Sequence, residues 1–121
     1  MRSILFDELL DFEIEAARNY LNQKAMPSGV NDLYWINLNR ELWAEPQNRA
    51  WTDENMTEGF RVAVELGPDW IRFELLIRAE SLHNIGGGQA NEAQALFVFR
   101  WANDMARQLN LISCLGLAPQ E

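Results

Sequence analysis

Two runs of alternating apolar and polar side chains, joined by the turn sequence GPDW, constrain the fold of this chain more than any other feature. A four-residue loop pairs Leu66 with Ile71 and places both apolar rows on one face, whereas a three-residue loop separates them. It also sets Glu65 opposite Arg72, a favourable charge pair. The remaining pairs of this register are Val64 with Phe73, Val62 with Leu75 and Phe60 with Ile77. The sequence therefore predicts an antiparallel hairpin with one buried face.

The rest of the chain supplies helical and strand-like segments around this hairpin. Residues 4–23 and 90–109 repeat apolar side chains at helical spacing, and each predicts a long amphipathic helix. Residues 33–38 read LYWINL and predict a short strand, followed by short helical turns up to Trp51. Residues 81–85 either extend the second hairpin strand or form a further one, and the pattern leaves both open.

These elements predict a two-layer α+β sandwich. Its sheet is expected to be mainly antiparallel, with three to four strands, and the N- and C-terminal long helices are expected to pack on one face. Neither a repeat nor a linker composition divides the chain, so a single domain over residues 1–121 is expected.

A formal net charge of −8 limits the partners of such a domain. Nucleic acids and anionic membranes attract proteins through lysine and arginine, and this chain has one lysine and nine scattered arginines. Binding to nucleic acid or to a membrane is therefore not expected. A protein partner with a basic surface would be attracted instead.

The cysteine and histidine content limits the chemistry. Cys114 is the one cysteine and His83 the one histidine, too few for a typical zinc site. A single cysteine makes no internal disulfide, which favours a reducing compartment and a cytoplasmic location. The chain shows neither a secretory signal pattern nor a stretch of about 18 apolar residues. No cofactor or metal is expected.

Two residues are candidates for a small-molecule pocket. His83 is the one residue of a type whose unperturbed pKa lies near neutral pH, and it lies beside a glycine-rich stretch, where a surface or structural role is the simpler interpretation. Glu13 falls between two apolar stripes of the predicted first helix. Its carboxylate either marks a ligand cavity or reaches solvent through the groove between packing surfaces.

The outward row of the predicted sheet carries the candidate partner-binding residues. In the register above, Arg61, Trp70, Arg72 and Leu76 point away from the apolar rows, and Trp35 joins them if its strand pairs alongside. Tryptophan, leucine and arginine among paired charges are typical of protein interfaces. The simpler alternative is a solvated sheet face on which the arginines lie flat.

The sequence thus favours a small acidic module that binds proteins, forms a homodimer and has no enzymatic activity. Its size and charge are of the type found in small chaperones, adaptors and immunity proteins, although no motif of those families is present. The alternative is a small-molecule-binding protein or modest enzyme, with a tryptophan-lined pocket between sheet and helices. No catalytic residue is assigned.

Overall fold

A computed structural model describes residues 2–50, 59–79 and 87–111 of the chain. These residues form a mixed α+β fold that is rich in strands. The strands are β1 (Ser3–Phe6), β2 (Met26–Pro27), β3 (Leu33–Asn37), β4 (Phe60–Leu66), β5 (Ile71–Glu74), β6 (Leu76–Ala79) and β7 (Gly88–Gln89). The helices are α1 (Asp11–Lys24), α2 (Glu45–Ala50) and α3 (Glu92–Gln108), with a 3₁₀ turn at Arg40–Leu42.

The seven strands form one antiparallel sheet. Along its main path the order is β1-β5-β4-β3-β2. β5 and β6 follow one another along the chain, and both pair with β4. On the side away from β4, β5 pairs with β1 and β6 pairs with β7. The seven strands therefore occupy five positions, and β1 and β2 lie at opposite edges.

One hydrophobic core covers the inward face of the sheet. The strands contribute alternate residues, among them Phe60, Val62, Val64, Ile71, Phe73 and Ile77. Buried residues of α1 (Ile14, Ala17 and Leu21) and of α3 (Val98, Ala102, Met105 and Ala106) join the same core. Trp101 on α3 connects both helices with the sheet, because its ring meets Tyr20 on α1 edge-on and Phe73 on β5 at a tilt. Both helices therefore contribute their buried residues to one side of the sheet.

The predicted sheet of three to four strands with N- and C-terminal long helices is wrong. The described chain starts with a strand, because Ser3–Phe6 pairs with Ile71–Glu74 of β5. Glu8 has a left-handed backbone with φ of 57°, which no α-helix accommodates, so α1 begins only at Asp11. A short apolar run fits both periodicities, and tertiary pairing decides between them.

Two further strands are too short for a sequence pattern to reveal. β2 and β7 have two residues each, and their side chains show no alternation. Each forms because the neighbouring strand offers free backbone groups: β2 pairs with β3, and β7 pairs with β6. The predicted strand over residues 81–85 lies outside the described residues.

The hairpin register is correct at the turn and shifts further along. Leu66 pairs with Ile71 and Glu65 with Arg72, as the four-residue loop requires. At the other end Phe60 pairs with Ala79, not with the predicted Ile77. A bulge around Leu75 therefore inserts two residues into the β5–β6 side. Because two is the strand period, the inward and outward faces are unchanged.

Candidate protein-interaction face

The outward side of the sheet gathers the partner-binding residues that the sequence singled out. We define the outer face by its side chains: Leu5, Leu33, Trp35, Arg61, Ala63, Glu65, Trp70, Arg72, Glu74, Leu76 and Arg78. Strand pairing aligns several of them in rows, one of which runs from Leu5 through Arg72 and Glu65 to Leu33. Trp70 follows the hairpin turn at one end of this face.

Two arginines of the outer face lie over tryptophan rings. The Cζ atom of Arg61 is 4.2 Å from the centroid of the Trp35 ring, and that of Arg72 is 5.3 Å from the Trp70 ring. Stacking of this kind is worth about 0.5–1 kcal/mol at exposed sites and holds the long side chain flat. The four side chains therefore form two ordered pairs, which leaves less conformational entropy to lose on binding.

Small residues make room for the indoles. Ala63, directly opposite Trp35, is buried although it belongs to the outer face, so neighbouring side chains lie across it. A Cβ atom added to Gly67 would lie 2.0 Å from Cε2 of Trp70, so the indole occupies the space above the turn glycine. The positions of both tryptophans thus depend on a small neighbour.

The charges of the outer face are paired within it. Arg72 hydrogen-bonds Glu65 on the adjacent strand. Arg78 donates from Nε and Nη2 to the two carboxylate oxygens of Glu74, at 2.9 and 3.3 Å. This contact raises the pKa of Arg78 above its usual value. It also offsets a like-charge contact, because Arg78 is the direct cross-strand neighbour of Arg61.

The outer face has a charge balance unlike that of the whole chain. It carries three arginines and two glutamates, whereas the chain carries eight more acids than bases. The excess of acidic residues therefore lies elsewhere, for example at Asp11 and Glu15 on α1. A nearly neutral face with internally paired charges loses less on desolvation than an array of single charges.

The structure brings four of the five predicted contact residues together as two pairs, Arg61 with Trp35 and Arg72 with Trp70. The fifth, Leu76, lies on the same face. Leu76, on β6, is half-buried on the outer face and lies opposite Gln89 of β7. Leu5 also belongs here, but the sequence pattern assigned it to a helix. It is 49% exposed and lies opposite Arg72. The consecutive apolar residues Ile4, Leu5 and Phe6 are compatible with a strand and with a helix, so the sequence pattern alone did not indicate this strand.

The two predicted pocket residues are not brought together by the described chain. Glu13 is 2% exposed, and its Oε1 accepts the backbone N–H of Leu10 at 2.9 Å, which caps the start of α1. This contact gives the buried carboxylate a structural partner. His83 lies outside the described residues.

A buried amide pair beneath the connecting helices is a polar feature that the sequence analysis missed. Gln94 on α3 donates from Nε2 to the Leu42 carbonyl oxygen and to Oε1 of Gln47, both at 2.9 Å. Gln94 and Asn91 also form a reciprocal capping box at the start of α3. Oε1 of Gln47 in turn accepts the N–H of Ala44. These bonds connect α3 to α2 and the 3₁₀ turn, so the pair is structural.

A polar cleft lies at the β2 edge of the sheet. It has a volume of about 510 Å³ and includes Arg18, Asn22, Asp32 and Tyr34. Arg18 is held by Asp32 and Glu15, and the Tyr34 hydroxyl donates to Asn22 at 3.0 Å. Burial raises the pKa of Tyr34. Every one of these polar groups is already engaged within the chain, so the cleft presents no free charge to a ligand.

Among residues 2–50, 59–79 and 87–111, no group of three or more acidic, histidine or cysteine side chains is arranged to hold a metal ion. No helix in this part of the chain is both long and apolar enough to cross a bilayer. Comparison of the chain with protein-family models, curated proteins and solved structures gives no match.

Proposed function

We propose that this protein is a non-enzymatic interaction module that acts as a homodimer and uses its outer face as the contact surface for protein chains. The observation that carries the proposal is the pair of arginine–tryptophan stacks, Arg61 on Trp35 and Arg72 on Trp70, on the side of the sheet opposite the core. Tryptophan and arginine are the residue types most enriched among side chains that dominate binding energy.

The composition of the outer face supports a second copy as the first partner. A face with three arginines and two glutamates, each glutamate paired to an arginine, adjoins an identical face without a large uncompensated charge. A basic protein is the second partner class, attracted by the net charge of −8 of the chain as a whole. Because the chain has a single cysteine and an acidic composition, we propose that the protein works in a reducing compartment, the cytoplasm.

The test is the association of a double variant, Trp70→Ala with Arg72→Ala. Removal of two interface side chains of these types is expected to raise the dimer dissociation constant about 30-fold, equivalent to about 2 kcal/mol. Sedimentation equilibrium over a concentration series measures this constant. Circular dichroism and urea unfolding of the same samples report whether the fold is retained.

A matched control removes the same kinds of side chain elsewhere. Leu96 and Arg100 lie one turn apart on the exposed side of α3, so Leu96→Ala with Arg100→Ala removes an apolar group and an arginine from a helix surface. The control is expected to associate like the unmodified chain. Equal association constants for both double variants would contradict a role for the outer face, as would a monomeric unmodified chain that captures no protein partner.

A further inference from the structure

Strand β1 leaves one row of backbone groups directed away from the sheet. The Leu75 N–H donates to the Arg2 carbonyl at 3.0 Å, which fixes the hydrogen-bonding phase of the β1–β5 ladder. In the observed register, Ile4 and Phe6 then bond to β5. The N–H and C=O groups of the alternate residues, Ser3 and Leu5, therefore point to the opposite side. The described chain places no strand on that side.

This edge lacks the features that usually prevent strand addition. Its sequence, SILF, contains no charge, proline or glycine, and Leu5 at its middle is 49% exposed. The opposite edge differs, because the two-residue β2 contains Pro27 and begins directly after the C-cap residue of α1, Ala25. Among the residues that the structure describes, the β2 edge is thus protected against strand addition and the β1 edge is not.

We infer that a second copy of this chain adds to β1 by antiparallel pairing about a two-fold axis at Leu5. The inference rests on the proposed function and specifies where its homodimer forms. Inward side chains must stay inward across the junction, so residues of equal parity face each other. Centring on Leu5 satisfies this condition. It pairs Leu5 with Leu5 of the second copy through both outward backbone groups, and Ser3 with Asp7.

Charge and side-chain chemistry agree with this register. Antiparallel pairing brings the Arg2 end of each β1 beside the Asp7 and Glu8 end of the other, so opposite charges flank the junction. The two exposed Leu5 side chains meet on the outer face. There each Leu5 lines a cleft of about 410 Å³ together with Trp70 and Arg72, which makes the junction continuous with the proposed contact surface.

The first test removes the backbone donor. Leu5→Pro deletes an N–H that makes no bond within the described sheet, and the strand conformation of Ile4 suits a residue before proline. The dimer loses two hydrogen bonds, one from each copy, and its dissociation constant is expected to rise about tenfold or more. Leu5→Lys is the second variant, because it places like charges opposite each other. Val30→Lys is its matched control, at an exposed apolar site beside β2 at the opposite edge.

Hydrogen exchange of the unmodified full chain measures directly whether β1 pairs with a second copy. The Leu5 amide is expected to exchange more slowly at high protein concentration than at low, since its acceptor belongs to the second copy. The Ile4 amide bonds to β5 within one chain, and its exchange is expected to depend far less on concentration. The two neighbouring amides thus act as probe and internal control.

Three results would overturn the inference. The first is a Leu5 amide that exchanges equally fast at every protein concentration. The second is a Leu5 amide that is equally protected in a monomer, which would mean that another part of the same chain covers β1. The third is a folded Leu5→Pro dimer of unchanged affinity. If the Trp70→Ala and Arg72→Ala variant still weakens that dimer, the proposed function stands and only the pairing at β1 fails.

Discussion

Replacing Gly59 by alanine is expected to lower the free energy of unfolding by about 3 kcal/mol, although only one methyl group is added. Gly59 has φ of 84°, a left-handed conformation that costs a residue with a side chain about 1–2 kcal/mol. The added Cβ would also lie 2.3 Å from Cζ2 of Trp43. The indole must then leave its position, since no real Cβ contact is that short.

The Trp43 indole has several contacts to lose. Its ring meets Phe60 edge-on with centroids 4.8 Å apart, and its Nε1 donates to the Leu38 carbonyl oxygen at 3.1 Å. Phe60 is fully buried at the start of β4. Displacement of the indole therefore uncovers the end of the core, and an aromatic contact of this type is worth about 0.5–1.5 kcal/mol beyond burial.

Gly29→Ala separates the backbone effect from the steric one. Gly29 has φ of 93°, but a Cβ at that position meets no atom within 4 Å. Its substitution is expected to cost about 1–2 kcal/mol, the backbone contribution alone. Urea unfolding of both variants measures the difference, which reports the Trp43 contact. Equal losses of stability would show that the indole moves away without cost, contrary to this prediction.

The hairpin shows how much of this fold is encoded locally. Its turn, the register near the turn and the two faces followed from alternation alone, because a shift by one residue would expose Val64 and Phe73. The bulge around Leu75 did not follow. A two-residue insertion leaves every side chain on its original face, so binary patterning carries no signal for it.

The first strand shows where local reasoning reaches its limit. Leu5 fits a helical stripe, and the run Ile4-Leu5-Phe6 also fits a short apolar strand, so the pattern of so short a segment does not separate the two. What decides is β5, about 70 residues further along, whose free edge bonds to Ile4 and Phe6. The same non-local pairing brought Leu5 to the outer face. Part of the candidate site was therefore hidden from a pattern that identified Trp70 and Arg72 within one hairpin.

The partners of the buried polar side chains could not be predicted from the sequence either, for a different reason. The sequence marks Glu13 as unusual but does not identify its partner, which is a backbone N–H three residues earlier. Gln94 gave no signal, because glutamine is common on exposed helix surfaces. Its importance comes from the chain between residues 39 and 50, which places Leu42 and Gln47 against it.

Gln94→Glu tests this buried amide pair and gives a stability that depends on pH. The change keeps the shape of the side chain but replaces the Nε2 donor with an oxygen. That oxygen faces two acceptors, the Leu42 carbonyl and Oε1 of Gln47. Because Gln94 is fully buried, an ionised carboxylate there is disfavoured by desolvation as well, so its folded-state pKa is raised above the unfolded value of about 4.3.

The sign of the pH dependence follows from that direction. A carboxyl group whose pKa is raised by folding binds its proton more tightly in the folded state than in the unfolded state. Its contribution to the free energy of unfolding is therefore fully present below the unfolded pKa of about 4.3 and is lost as the pH rises through the folded-state pKa. At pH 7 the variant is expected to be less stable than the unmodified chain by about 3 kcal/mol. Near pH 4 the protonated carboxyl again donates one hydrogen bond, and the difference is expected to fall to about 1 kcal/mol.

Gln108→Glu is the matched control, since it makes the same change at the exposed end of α3. Urea unfolding of both variants and of the unmodified chain at several pH values cancels the titrations that all three share. The control is expected to differ from the unmodified chain by less than about 0.5 kcal/mol at every pH. A constant deficit for Gln94→Glu from pH 4 to pH 7 would mean that water reaches the carboxylate, and that the link between α3 and the connecting helices is not sealed from solvent.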